Sequence, residues 1–186
     1  MMQEVLHHEQ RVALGCLSCY VSDNFLTYKW LNADGLEEAH ESGNLAKAVC
    51  SRPDTLYHNR DEWHIQDYDG EINRLRLGEN PNIENLIQMM RLIDNDPDKY
   101  TVACIAAYDR YESPTADEVE EIADMLMYVG DQSLEDYFME QAYDCGVMKN
   151  GDRWESYVDW EHYARDCMFD YTEYKYGGDT YLLPNY

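Results

Sequence analysis

Between Tyr111 and Met148 the chain carries eleven carboxylates and no Lys or Arg: Glu112, Asp117, Glu118, Glu120, Glu121, Asp124, Asp131, Glu135, Asp136, Glu140 and Asp144. Apolar residues in the same stretch recur at helical spacing, so a helix starting after Thr115 would bury Val119, Ile122, Leu126 and Val129 as one stripe. The acids must then share the remaining face. Asp117 with Glu121 and Glu120 with Asp124 stand i to i+4, where like charges destabilise a helix by about 0.2–0.5 kcal/mol per pair. The helix dipole offsets part of this only in the first turn. A face kept charged merely for solubility interleaves both signs, and this one forgoes such pairing over 38 residues. Carboxylates three or four apart on a helix lie about 5–6 Å from each other, whereas phosphates advance about 3.4 Å per step along a DNA strand. The two arrays are comparable in density. The eleven acids are therefore the candidate partner-binding surface, presenting DNA-like charge to a nucleic-acid-handling protein whose Lys and Arg groove needs no base readout.

The charge is unevenly spread. Residues 1–110 hold 10 basic and 19 acidic side chains, a net of −9, and residues 111–186 hold 4 and 19, a net of −15. A total of −24 argues against direct nucleic-acid binding or an anionic membrane face. Yet 45% hydrophobic residues and 17 tyrosines are too much packable surface for a disordered acidic tail, so the chain is expected to fold. No apolar run approaches the roughly 20 residues of a membrane span, and MMQEVLHHEQR lacks a basic flank before an apolar segment. Cytoplasmic location is the expectation, with the six cysteines reduced and unpaired.

The fold class predicted is α+β. RVALGCLSCYVSD and FLTYKWLNADG read as a hairpin around Ser22, Asp23 and Asn24, Leu36 to Val49 as a helix interrupted by Gly43, and residues 62–68 as a strand. A loop from Asp69 to Asn82 marks a domain boundary. Asn82 caps a helix burying Ile83, Leu86, Ile87, Met90 and Ile93, and Pro97 opens another through Tyr100, Ala103, Cys104 and Ala107. Thr115 with Glu118 forms a capping box, and Ser133 with Asp136 a looser one. The second of these helices should stop at Gly146. Asp159 caps a further helix through Cys167, and DYTEYKY-GG-DTYLL closes the chain as a hairpin.

Catalytic and metal patterns are wanting. Cys16 and Cys19 have no second Cys or His pair at zinc spacing and read as core within a strand. Asp94, Asp96 and Asp98 resemble the opening of a calcium loop, but Lys99 and Ile105 occupy the required glycine and glutamate positions. His7, His8, His58, His64 and His162 form no HExxH, and phosphate-binding or nucleophile-elbow glycine motifs are missing. The expectation is a non-enzyme with no cofactor and no metal.

Three segments resemble the ArdA antirestriction family. CLSCYVSDNFLTYKWLNAD is similar to its first hairpin, and DEWHIQDYDG to its E-E-W-x-I-x-D-Y-E-G segment. SLEDYFMEQAYDCG, YVDWEHYARDCMFDYT and GGDTYLL resemble its acidic helix, D-Y-E-x-[FY]-A-R-D segment and closing strand. Residues 71–82 depart from the pattern, with Arg74 and Arg76 replacing an acidic, glycine-rich continuation. The resemblance implies an elongated, curved homodimer of three small domains. These are residues 1–70 (antiparallel sheet plus helix), 71–130 (central helices) and 131–186 (acidic helices and terminal hairpin). It further implies a DNA mimic occupying the DNA groove of the methyltransferase and specificity core of type I restriction-modification enzymes, or of other DNA-binding defence proteins. Such a mimic protects incoming plasmid, transposon or phage DNA. The alternative is an acidic adaptor that binds a basic protein without imitating DNA.

Overall fold

The computed structural model describes residues 9–23, 28–50, 62–75, 77–149 and 151–185. They form a mixed α+β chain that divides into two compact units after Glu120.

The first unit is built on a three-stranded antiparallel sheet of β1 (Arg11–Cys16), β2 (Tyr28–Leu31) and β3 (Trp63–Asp69), in the order β2-β1-β3. Central β1 is buried from Val12 to Cys16, which suits its unbroken apolar run. Its register with β3 shifts between Ala13 and Leu14, leaving Gln66 as the extra residue of a bulge.

The predicted pairing of the first two apolar segments is present, but their connection is not a simple turn. The chain leaves the sheet at Cys16, and Leu17–Asp23 forms helix α1, so Cys19, Ser22 and Asp23 are helical. Asn24 lies outside the described residues. Short apolar runs do not distinguish strand from helix by periodicity. Here burial decides, because the i, i+3 spacing brings Cys19 to the same buried cluster as Cys16 and Cys50.

Leu36 to Val49 divides into α2 (Ala33–Glu41) and α3 (Leu45–Val49). Gly43 separates them at φ 77, a left-handed conformation that ends a helix at little cost to glycine alone. Asn32 and Asn44 cap them, accepting from the Gly35 and Lys47 amides. The stretch read as a loop after Asp69 holds a 3-10 turn, Glu71–Arg74, with Ile72 fully buried. Gln10 secures this turn. Its Oε1 accepts from the Ile72 amide at 2.8 Å, and its backbone N–H donates to the Asp94 carboxylate at 2.9 Å.

Helices α4 (Ile83–Asn95) and α5 (Pro97–Arg110) follow, with Asn82 capping the first and Pro97 opening the second as predicted. The predicted stripe of α4 is buried, as are Ala103, Cys104 and Ala107 of α5, while Tyr100 is half-buried. Met89 and Met90 join Leu86 and Ile93 in the fully buried set. Burial of each such side chain stabilises by about 1.5–3 kcal/mol before entropy is counted. Asp94 serves Gln10 and Asp96 caps α5, which gives the DNDPD stretch its helix-boundary role.

The second unit packs α7 (Leu134–Asp144) and α8 (Trp160–Cys167) with a sheet of β4 (Met127–Gly130), β5 (Tyr171–Tyr176) and β6 (Asp179–Pro184), ordered β4-β6-β5. Its core is Val129, Tyr137, Phe138, Ala164 and Leu182. The terminal hairpin turns through Gly177 (φ 65) and Gly178 (φ 103), between the paired Tyr176 and Asp179. Positive φ at both central positions suits the strand twist.

Candidate acidic interaction surface

Helix α6 (Ala116–Met125) carries the densest acids, and its start is fixed from two sides. Thr115 and Glu118 form the predicted capping box: the Glu118 amide donates to the Thr115 Oγ1 at 3.3 Å, and the Thr115 amide donates to the Glu118 carboxylate at 2.7 Å. Asn85 of α4 adds a clamp, accepting from the Ala116 amide at 2.7 Å and donating to the Pro114 carbonyl at 2.8 Å. The rotation about the axis follows from burial, with Ala116, Val119, Ile122 and Ala123 all at most 4% exposed.

The helix is shorter than its apolar spacing suggested. It ends at Met125, Leu126 is only half-buried, and Val129 reaches the core from strand β4 rather than from the helical stripe. Val129 follows the spacing because alternation in a short strand can continue a helical count by coincidence.

In α7, Ser133 Oγ accepts from the Asp136 amide at 3.1 Å and donates to the Asp136 carboxylate at 2.7 Å. Asp, one methylene shorter than Glu, meets the hydroxyl instead of the cap residue's own amide. The helix ends as predicted near Gly146 (φ 73), whose amide donates to the Tyr143 carbonyl at 3.0 Å. Tyr137, Phe138 and Ala142 face inward.

The eleven acids therefore stand outside. Glu112, Asp117, Glu120, Glu121, Asp124, Asp131, Glu135, Asp136, Glu140 and Asp144 are exposed, and Glu118, engaged in its cap, is half-buried. Among the described residues, Glu120, Glu121, Glu135, Glu140 and Asp144 form no ion pair. Several acids nearer the N-terminus are paired instead. Arg91 reaches Asp34 at 2.9 Å and Glu37 at 2.6 Å, and its hydrogen bond holds the Glu37 carboxyl below the usual range. Arg11 pairs with Asp69, and Arg74 with Glu71.

Glu112 has a distinct setting, lining a cleft of the first unit with Arg74, Tyr108 and Asp109. Sequence reasoning left out Glu161 and Asp170, both exposed in the second unit. Their signal was weak, since Lys149, Arg153, Arg165 and Lys175 break up the acids beyond residue 148. Of the histidines, His40 faces Glu84 at 3.5 Å, His162 faces Asp166 at 3.4 Å and His64 lies in β3, while His7, His8 and His58 lie outside the described residues. No helix among the described residues is long and apolar enough to cross a membrane.

An outward field of carboxylates on capped helices can bind a cationic surface by charge alone. Comparison with known proteins agrees with the three quoted segments: residues 12–179 match the family described as antirestriction protein (ArdA). No curated protein matches the chain at a meaningful level of similarity. The matched region covers most of the 186 residues, and the chain belongs to the ArdA antirestriction protein family.

Proposed function

We propose that the protein is a DNA mimic whose exposed carboxylates on α6 and α7 stand in for backbone phosphates in the DNA groove of a type I restriction-modification enzyme. Membership of an antirestriction family implies interaction with restriction-modification enzymes in general. The observation that carries the finer reading is the outward-facing acid array, which no Lys or Arg interrupts in the sequence from Tyr111 to Met148. On α6 five acids from Asp117 to Asp124 extend over about 10 Å at 1.5 Å per residue, close to one charge per 2 Å. Duplex DNA presents one per roughly 1.7 Å. On α7 four acids from Glu135 to Asp144 extend over about 13 Å, nearer the spacing of a single strand.

In this reading the protein does no chemistry and needs no cofactor. It acts in the cytoplasm of a cell that receives plasmid, transposon or phage DNA. A homodimer of three-domain chains, divided near residues 70 and 130, would lengthen the array. Exposed Trp154, Tyr157 and Phe169 in the second unit support a partner-covered face, because large aromatics are costly to leave in water. The test is binding to a purified methyltransferase and specificity core across a salt series. Association at low salt that weakens steeply as ionic strength rises, together with lost DNA methylation and cleavage, is expected. Failure to bind at low salt would refute the target assignment.

A further inference from the structure

The sulfurs of Cys16, Cys19 and Cys50 all lie within 4.8 Å of one another, and those of Cys19 and Cys50 are 3.3 Å apart. The three residues are buried, at 1%, 5% and 8% exposure, and share their cluster with Ala46 and Trp63. They converge from separate elements. Cys16 ends β1, Cys19 lies one turn into α1, and Cys50 follows α3. The first two form the C-x-x-C pair that lacked a partner in the sequence; the partner arrives through the fold, 31 residues beyond Cys19.

We propose that Cys16, Cys19 and Cys50 form a three-thiolate site for a thiophilic d10 cation such as Zn(II), which ties α1 and the C-terminal end of α3 to the end of β1. Metal–sulfur bonds of about 2.3 Å set three sulfurs on one cation roughly 3.8–4.0 Å apart, within the spread seen here. Soft thiolates without oxygen or nitrogen donors select such ions. The Cys19 backbone amide donates to the Cys16 sulfur. A thiol that binds the cation as thiolate gives up its proton on binding. Binding exchanges three S–H protons for three metal–sulfur bonds, with no change of oxidation state. A Cys19 to Cys50 disulfide would need an added oxidant and would leave Cys16 unused. The site is independent of the DNA-mimic reading.

The experiment titrates the reduced, metal-free full chain with Cd(II) and then Zn(II) at neutral pH. One equivalent should bind, releasing about three protons, raising the melting temperature, and giving a Cd–thiolate absorption whose intensity counts three sulfurs. Cys50→Ser should weaken binding more than about 100-fold, beyond the 10–100-fold typical of outer partners, while Cys145→Ser and Cys167→Ser leave it unchanged. If Cys50→Ser fails to fold, the thiolate count and proton release of the unaltered chain still decide the matter. No saturable uptake would overturn the proposal and leave the trio as small apolar packing. Uptake that survives Cys50→Ser but is lost in Cys145→Ser or Cys167→Ser would also overturn it, as would mild oxidation joining Cys19 to Cys50 in a chain that takes up no metal.

Discussion

Neutralising Glu120 and Glu121 together should make the protein more stable and a worse inhibitor. Both residues are exposed and lie beyond the first turn of α6, so neither contributes to its capping box nor gains from the helix dipole. The double variant Glu120→Gln/Glu121→Gln keeps side-chain length and near-equal helix propensity. It removes the repulsions of Asp117 with Glu121 and Glu120 with Asp124, together about 0.4–1 kcal/mol. For a chain of this size that corresponds to a rise of roughly 1–4 °C in melting temperature. Each exposed charge facing a cationic partner contributes about 0.2–1 kcal/mol, so two cost about 0.4–2 kcal/mol of binding. That equals a loss of roughly 2- to 30-fold in inhibition. Thermal melts at low ionic strength, where screening is weak, and a restriction-inhibition titration would be run on the same preparations. Unchanged inhibition would refute the assignment of these charges to the partner surface, and an unchanged or lowered melting temperature would refute the repulsion argument.

Thr115→Ala should lower stability by about 1 kcal/mol in the same melts, because the Glu118 amide loses its acceptor. Gly70→Ala should destabilise by more than about 1 kcal/mol in a denaturant titration, since φ is 89 there and a Cβ would lie 2.6 Å from the Gln10 Oε1 that anchors Ile72. Burial raises the Asp94 carboxyl above its ordinary value of 3.8 despite the Gln10 amide beside it. The folded state therefore holds that proton more tightly than the unfolded chain, and the associated stability is lost as pH rises through the raised value. Asp94→Asn keeps an oxygen acceptor for Gln10, so urea melts from pH 3 upward should show wild-type stability falling relative to the variant as pH climbs above 3.8.

Local chemistry made much of this fold readable. The caps at Asn82, Asp96, Thr115, Ser133 and Asp159 and the Gly177-Gly178 turn act through neighbours three residues away or less, so their signals survive in the sequence. Helix α1, the end of α6 and strand β4 were decided by tertiary burial, which a short apolar run does not encode. The acid array was legible because an unbroken run without cations shows directly. Glu118 and Asp136 serve as the cap partners that their spacing from Thr115 and Ser133 predicted, so charge reversal at Glu118 would mix lost binding with a weakened helix. The convergence of Cys50 on Cys16 and Cys19 is a property of strand and helix packing and left no trace in spacing.

Displacement of DNA is the most direct measure of the central claim. A fluorescent duplex bearing the recognition sequence is bound to a type I methyltransferase core and titrated with the protein at constant salt. The account predicts full release of the duplex, with the apparent inhibitory concentration rising in proportion to the DNA present. A stable ternary complex, with the protein bound and the duplex still in place, would contradict it.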